Sequence, residues 1–318
     1  MHFKKERILI DSIDLDDKLY RITTEKNDVT LLNSINSLGL LHPPFLIRKK
    51  AYFQIISGFR RILALKSAGV TEVNAMIIKD SNDKLSITKL AISENSLQRP
   101  LNIVEKARSL NLLSKCIHNM DALSDAATSV GVPCDNELAA KLITISQLND
   151  SIHQGLIDGY ISMPVSLMLD NYDRQTSDLF VESFKNLRLS LNRQREFILL
   201  ITEIAQRDNI EPAQLMKESF FSKVLKDENL DRSQKIQLLL KMLKRIRFPY
   251  ISKAEECFVE NTKNLDIKKG IQLIPPKDFE SVIYTLQLTF KSLTELNSIK
   301  KRLDRIIKDP KFEEILDR

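Results

Sequence analysis

Two adjacent arginines follow a Ser-Gly pair in the segment "ISGFRRILALKSAG", residues 56–69. The pattern predicts a strand that ends at Ser57, a close backbone approach at Gly58, and a short helix after it. A helix start already carries partial positive charge, so Arg60 and Arg61 are poorly placed for stability alone. Helix N–H groups, a glycine and two forked guanidinium groups together favour binding of a phosphate group. The alternative is a pair of solvated surface arginines, and the segment matches neither a Walker loop nor a dinucleotide fingerprint.

A second polar segment, "ENSLQRP" at residues 94–100, closes the next predicted helix. Glu94 and Asn95 carry the oxygen ligands that Mg²⁺ accepts alongside phosphates. Gln98 and Arg99 add hydrogen-bond donors. The alternative interpretation is a polar helix end that runs into a proline.

The elements that must position these residues alternate between helix and strand. Apolar periodicity and turn residues predict helices at 28–39, 60–68 and 83–95, and strands at 44–48, 52–57 and 73–79. Such alternation is typical of a small α/β unit, which we expect to end near residue 98.

The chain then becomes helical, beginning after Pro100 with Asn102 as a good N-cap. Two short predicted helices, 121–131 and 135–143, flank the turn "GVPC" and fit a helix-turn-helix. On this hypothesis the second helix recognises DNA through Asn136 and Lys141. Any pair of short packed helices would give the same pattern.

The last segment is predicted to contain strands at 271–276 and 281–290 and a helix at 293–308. The predicted fold class is α+β and predominantly α. We predict three domains: a small α/β domain at 1–99, a helical domain with the helix-turn-helix at 100–247, and a small α+β domain at 248–318.

The net charge of the 318-residue chain is +6, and it is unevenly distributed. Residues 1–100 carry +5 and residues 185–250 carry +6, whereas residues 101–150 carry −2. A modest basic balance permits nucleic-acid binding without requiring it. Because the helix-turn-helix region is acidic, we expect help from a later basic cluster: Lys241, Lys244, Arg245 and Arg247. These side chains could instead form the solvated face of a helix.

Composition argues against several classes of protein. The three cysteines, Cys116, Cys134 and Cys257, fit neither a disulfide framework nor a zinc site, which favours a reducing cytoplasm. The start of the chain turns acidic before an apolar signal-peptide core forms. No apolar run approaches the roughly 20 residues that span a bilayer. We therefore expect a cytoplasmic protein without membrane contact.

The segments "GLLHPPFLIR", "YFQIISGFRRILALKSAG", "VNAMII" and "ENSLQRPLNIVEKA" follow one another in an order that resembles a known family. The resemblance is to the N-terminal domain of ParB proteins of chromosome and plasmid partition, and it covers about residues 6–108. It implies a ParB/sulfiredoxin-like fold for this part, and it continues more weakly through the helical middle.

The resemblance implies a site for CTP and Mg²⁺. Its residues would be Gly58, Arg60 and Arg61 at the triphosphate, with Ser57 before them, Glu94 and Asn95 at the Mg²⁺ and phosphates, Gln98 and Arg99 closing the site, and Leu41, His42 and Pro43 near the base and sugar.

The resemblance also implies a function for the whole chain. Family members are DNA clamps that CTP gates, and they usually dimerise through their C-terminal part. The implied partners are double-stranded DNA, a second copy of the chain and a ParA-like ATPase, with association to the nucleoid.

Two departures from the family pattern leave alternatives open. Phe59 stands where the family has the glutamate of G-E-R-R, and His42 stands where glutamine is usual. We therefore expect slow CTP hydrolysis or none, with Glu94 the candidate catalytic residue. One alternative is a DNA-binding transcriptional regulator with a degenerate nucleotide site. Another is a kinase-like enzyme on the same fold, although Phe59 removes its obvious carboxylate base.

Overall fold

The computed structural model describes residues 2–25, 29–79, 83–265, 267 and 270–316. The chain divides into two compact units, Met1–Lys185 and Asn186–Arg318. The fold is mixed α+β and mostly helical, as predicted. The three-domain division at residues 99 and 247 stays a prediction.

The first unit contains one mixed five-stranded sheet. Its strands are β1 (Phe3–Leu9), β2 (Ile13–Asp14), β3 (Phe45–Arg48), β4 (Phe53–Ser57) and β5 (Glu72–Ile78). Their order is β1-β5-β3-β4-β2, with β3 antiparallel to β4 and parallel to β5. The predicted strands β3, β4 and β5 are confirmed. The edge strand β1 was not predicted, because its charged side chains are mostly exposed and only Ile8 is buried.

Three helices pack on this sheet: α1 (Val29–Leu38), α2 (Phe59–Ser67) and α3 (Lys84–Ser96). They match the three predicted helices, except that residue 28 lies outside the described part of the chain. All five residues of β4 are buried, and Ile55 and Ile56 pack into different apolar clusters. One cluster includes Ile62 of α2 and the other Ile87 of α3. Burial on both faces therefore fixes where β4 ends and α2 begins.

The rest of the first unit is helical. Its helices are α4 (Ile103–Ser114), α5 (Met120–Ser129), α6 (Asn136–Gln147), α7 (Asp150–Ile157), α8 (Met163–Leu169) and α9 (Arg174–Leu187), whose end crosses into the second unit. Asn102 caps α4 as predicted, in a reciprocal capping box with Glu105. The two helices of the predicted helix-turn-helix are present as α5 and α6, but their DNA-binding role stays a prediction.

The second unit combines helices with a β-hairpin. Its elements are α10 (Leu191–Asp208), α11 (Pro212–Met216), α12 (Ser219–Lys226), α13 (Arg232–Arg247), α14 (Pro249–Asn264), β6 (Ile271–Ile274), β7 (Thr285–Leu288), α15 (Leu293–Ile307) and α16 (Pro310–Leu316). The strands predicted at 271–276 and 281–290 correspond to β6 and β7, each shorter than expected. In the described ranges, no helix is long and apolar enough to cross a membrane.

Candidate functional site

The turn between β4 and α2 presents an uncapped helix start. Gly58 takes a left-handed conformation, with φ of +99°, and supplies no side-chain cap to α2. Helix geometry leaves the N–H groups of the first turn without intrahelical acceptors. Such a helix start can hold an anion. A Cβ at residue 58 would lie 2.7 Å from Pro44 Cβ, so the close approach there requires glycine.

A cavity of about 230 Å³ opens at this helix start. It brings together the residues predicted from the two sequence segments and His42, which the family resemblance implied: His42, Ser57, Gly58, Arg60, Arg61, Glu94, Asn95, Gln98 and Arg99. Leu41 is exposed and Pro43 only borders the site, through a carbonyl 3.4 Å from Arg61 Nη1. The lining also includes residues that sequence reasoning missed: Tyr20, Ile22, Thr23 and Leu31.

Glu94 links the two predicted segments. Its Oε2 accepts hydrogen bonds from Ser57 Oγ at 2.6 Å and from Arg61 Nη2 at 2.8 Å. Gln98 Nε2 donates to Oε1 at 3.2 Å. The side chains of Arg61 and Glu94 are each only 15% exposed, so this ion pair is well shielded from water. The contact fixes the end of α3 against the start of α2.

Magnesium would find few protein ligands at this cavity. The described residues contain no group of three or more His, Cys, Asp or Glu side chains that could hold a metal ion. The Asn95 amide already donates to the carbonyl of Ala91 at 2.8 Å. Mg²⁺ commonly takes one or two carboxylates and completes its shell with phosphate oxygens and water. Glu94 with Asn95 fits that minimal set, provided that Glu94 exchanges some of its present partners.

Arg99 is anchored by Glu105, which sequence reasoning had placed only within the family motif. Nη1 and Nη2 of Arg99 donate to the two carboxylate oxygens at 2.8 and 2.7 Å. The fully buried carboxylate also accepts from the N–H groups of Thr24 and Asn102. Burial raises the pKa of Glu105, but these hydrogen bonds outweigh burial and hold the pKa below its ordinary value. The charged carboxylate thus fixes the direction of the Arg99 guanidinium.

Glu25 also contacts the cavity arginines, although no sequence pattern marked it. One carboxylate oxygen pairs with Arg60, and the other lies 3.2 Å from Arg99 Nε. The arginines of the two separate motifs therefore share one carboxylate.

Phe59 is a core residue. Its side chain is 6% exposed and packs in the apolar cluster that contains Ile55 and Ile62. The position at which the family carries glutamate is therefore occupied by a ring that stabilises the α2–sheet contact.

The two predicted DNA-binding residues of α6 make contacts within the first unit. The Asn136 amide accepts from Ser124 Oγ at 2.7 Å and donates to Asp121 Oδ1 at 2.6 Å. Lys141 pairs with Glu137 one turn earlier on α6. The Asn136 amide would have to exchange these partners before it could read a base, whereas the Lys141 ammonium has further N–H donors for a phosphate.

The basic cluster of the second unit is partly neutralised. In the described structure Lys244 pairs with Glu196 at 2.8 Å, and Arg247 pairs with Glu203 at 2.8 Å. Arg245 lies 3.4 Å from Glu256, and Lys241 is exposed. These ion pairs connect α13 to α10 and α14, whereas the alternative considered from the sequence was a solvated helix face.

Comparison with known proteins finds a family match at the start of the chain. The sheet and its arginine-lined cavity define a small α/β domain at the start of the chain. Residues 6–96 match the family model of the ParB N-terminal domain.

Curated relatives extend the similarity beyond this domain. The probable chromosome-partitioning protein ParB of Campylobacter jejuni is 26% identical over 253 residues, which cover 77% of this chain and 78% of that protein. The corresponding Helicobacter pylori protein is 24% identical over 176 residues, covering 55% of this chain and 58% of its own length.

Solved structures of Caulobacter crescentus ParB are also similar. The C-terminally truncated protein complexed with CTP-γ-S is 20% identical, with a TM-score of 0.27, and covers 57% of this chain and 98% of its own. The same protein complexed to the centromeric parS site is 18% identical, with a TM-score of 0.34, and covers 59% of this chain and 96% of its own.

Proposed function

We propose that the chain is a ParB-like partition protein whose N-terminal domain binds CTP and whose helical part binds double-stranded DNA. One observation carries the nucleotide part of this proposal. Two motifs about 35 residues apart in the sequence converge on one cavity at an uncapped helix start, joined there by the contact between Arg61 and Glu94. The match of residues 6–96 to the ParB N-terminal domain model and the similarity to ParB relatives support the partition role.

In this proposal the triphosphate lies against the first turn of α2. The N–H groups of that turn and the guanidinium groups of Arg60 and Arg61 bind its oxygens. Glu94 and Asn95 hold Mg²⁺, which would neutralise phosphate charge. His42 lines the cavity, and in this proposal it would lie near the sugar or base. CTP is the nucleotide that the family resemblance implies.

Arg60→Ala is expected to weaken CTP binding about tenfold to a hundredfold. A hydrogen bond to a charged group is worth roughly 1.5–3 kcal/mol, and each 1.4 kcal/mol corresponds to about a tenfold change. Calorimetric titration of CTP, ATP and GTP with Mg²⁺ measures the effect. Arg99 is a poor target for the same test, because its removal would leave Glu105 buried without its ion-pair partner.

Arg7→Ala is the matched control, since Arg7 pairs with Glu72 between β1 and β5 and does not line the cavity. Equal CTP affinity of the unaltered protein, Arg7→Ala and Arg60→Ala would contradict the nucleotide site. Such a result would favour the DNA-binding regulator with a degenerate site, to which Phe59 already points.

Hydrolysis is proposed to be slow. Phe59 cannot accept a proton, orient a water or bind the water shell of a metal ion, so Glu94 is the candidate catalytic residue. Because Phe59 is buried in the core, a glutamate there would place a carboxylate among apolar side chains. Hydrolysis is therefore better tested by measuring CDP release from the unaltered protein, which should be slow, than by restoring the family glutamate at residue 59.

DNA binding is proposed for the α5–α6 pair, with a weak dependence on salt. The exposed residues of these helices include Asp121, Asp125 and Glu137 beside Lys141, so few phosphates would be neutralised. Fluorescence anisotropy with DNA fragments at several salt concentrations is expected to give a shallow slope. A steep slope that Lys241→Gln and Lys244→Gln abolish would instead place DNA on α13.

Dimerisation is proposed for the second unit, as in the family. Its β-hairpin has only two strands, and the segment around β7 exposes large apolar side chains, among them Val282, Ile283 and Leu293. Apolar surface of this kind is typical of an interface between protein chains. A ParA-like ATPase is the further partner that the family implies.

A further inference from the structure

Each of the three guanidinium nitrogens of Arg99 has a partner. Nη1 and Nη2 donate to Glu105, and Nε is paired with Glu25 at 3.2 Å. The Pro100 carbonyl, 3.2 Å from Nη1, and Thr23 Oγ1, 3.4 Å from Nη2, are weaker neutral acceptors that a phosphate oxygen could also replace. A phosphate group that takes over an ion pair with Arg99 must displace one of the two carboxylates. Which carboxylate can leave decides how an anion enters the cavity.

Glu105 is held too firmly to leave. Its carboxylate is fully buried and also accepts from the backbone N–H groups of Thr24 and Asn102. Moving it would leave buried donors without acceptors, which is costly. The Glu25 side chain is 39% exposed, and its carboxylate contacts within the described part of the chain are Arg60 and Arg99. Glu25 is therefore the carboxylate that can move into solvent.

We propose that Glu25 is an affinity-determining residue of the nucleotide site, whose carboxylate occupies the place of a phosphate group between Arg60 and Arg99. The inference rests on the proposed nucleotide site. In the free protein the Glu25 carboxylate pairs with both guanidinium groups, and a triphosphate binds there only after this carboxylate has left. The apparent affinity for the triphosphate then equals the intrinsic affinity multiplied by the fraction of molecules in which Glu25 has left the site.

Glu25→Ala and Glu25→Gln are expected to bind CTP about five- to thirtyfold more tightly than the unaltered protein. Two partly exposed ion pairs that no longer compete with the ligand give an effect of this order. The affinity of the same variants for inorganic tripolyphosphate, which lacks base and sugar, is expected to rise by about the same factor. Both ligands are titrated by calorimetry on the full chain, and thermal melts confirm that the variants are folded.

Two controls separate direct competition from a general change of charge. Glu72→Gln removes the same charge from the ion pair with Arg7, and it should leave both affinities unchanged. In an Arg60→Ala background the gain from Glu25→Ala should shrink, because residues that act through a shared contact are not additive.

Several results would overturn the inference. These are unchanged or weaker binding of both ligands by the Glu25 variants, an equal gain in Glu72→Gln, or an undiminished gain in the Arg60→Ala background. The proposed function fails separately: tighter tripolyphosphate binding without any CTP binding would keep Glu25 as the competing anion and remove the nucleotide assignment. Absence of binding of either ligand by every variant would overturn both.

Discussion

Glu105→Ala is expected to lower the free energy of unfolding of the first unit by about 3–5 kcal/mol, the usual cost of removing one partner from a buried ion pair. The substitution leaves the Arg99 guanidinium without its two carboxylate oxygens. It also leaves the N–H groups of Thr24 and Asn102 without their acceptor. Chemical denaturation followed by circular dichroism measures the loss, and CTP affinity should fall with it because Arg99 is no longer held in place.

Two matched variants sharpen this test. Glu105→Gln keeps the size of the side chain and an acceptor oxygen, so it should lose less stability than Glu105→Ala. Glu137→Ala removes an exposed carboxylate that pairs with Lys141 along α6, and exposed helix pairs of this kind are worth about 0.3–0.5 kcal/mol. A loss as small as that of Glu137→Ala would show that Glu105 is not the anchor of Arg99.

The pH dependence of the same variants has a defined sign. Because the pKa of Glu105 is lower in the folded protein than its ordinary value of 4.5, the unfolded chain binds its proton more readily. The stabilisation is therefore present above pH 4.5 and is lost as the pH falls through the lowered pKa. The difference in unfolding free energy between the unaltered protein and Glu105→Gln should accordingly stay constant above about pH 4.5 and shrink as the pH falls further.

The residues that were predicted from the sequence have local signals. A buried strand, a glycine and two arginines within residues 53–61 placed Ser57, Gly58, Arg60 and Arg61 at a helix start, and the structure agrees. The family resemblance, which rests on the order of the motifs, implied that Glu94 shares a site with these residues. The cap at Asn102 was likewise read from a local pattern.

The residues that were missed depend on contacts distant in sequence. Glu25 lies in a polar segment without periodicity. Its role appears only in the folded structure, where Arg60 at the start of α2 and Arg99 after the end of α3 both contact it. The Thr24 N–H reaches the Glu105 carboxylate across 81 residues of sequence. Asn136 fits a recognition helix by position, yet its amide joins α6 to α5. Local patterns determine the elements, whereas side-chain partners follow from packing.

Gly58→Ala is expected to destabilise the first unit by about 2–5 kcal/mol and to reduce nucleotide binding. A non-glycine residue in a left-handed conformation costs roughly 1–2 kcal/mol, and overpacking a tight site costs about 1–3 kcal/mol. The added Cβ would lie 2.7 Å from Pro44 Cβ and 3.3 Å from Arg61 Nε. The segment that carries Pro44 would have to shift, and with it the His42 carbonyl that accepts from Arg61.

Gly69→Ala provides the control on the same helix. Gly69 follows α2 with φ of +72°, and a Cβ there would meet nothing within 4 Å. This variant should show the cost of the backbone conformation alone, about 1–2 kcal/mol, with CTP affinity unchanged. The difference in unfolding free energy between the two variants then measures the close approach of β4 and the Pro44 segment. If Gly58→Ala were no worse than Gly69→Ala in stability and in CTP titration, the turn at Gly58 would not be the constraint that holds Arg61 at the cavity.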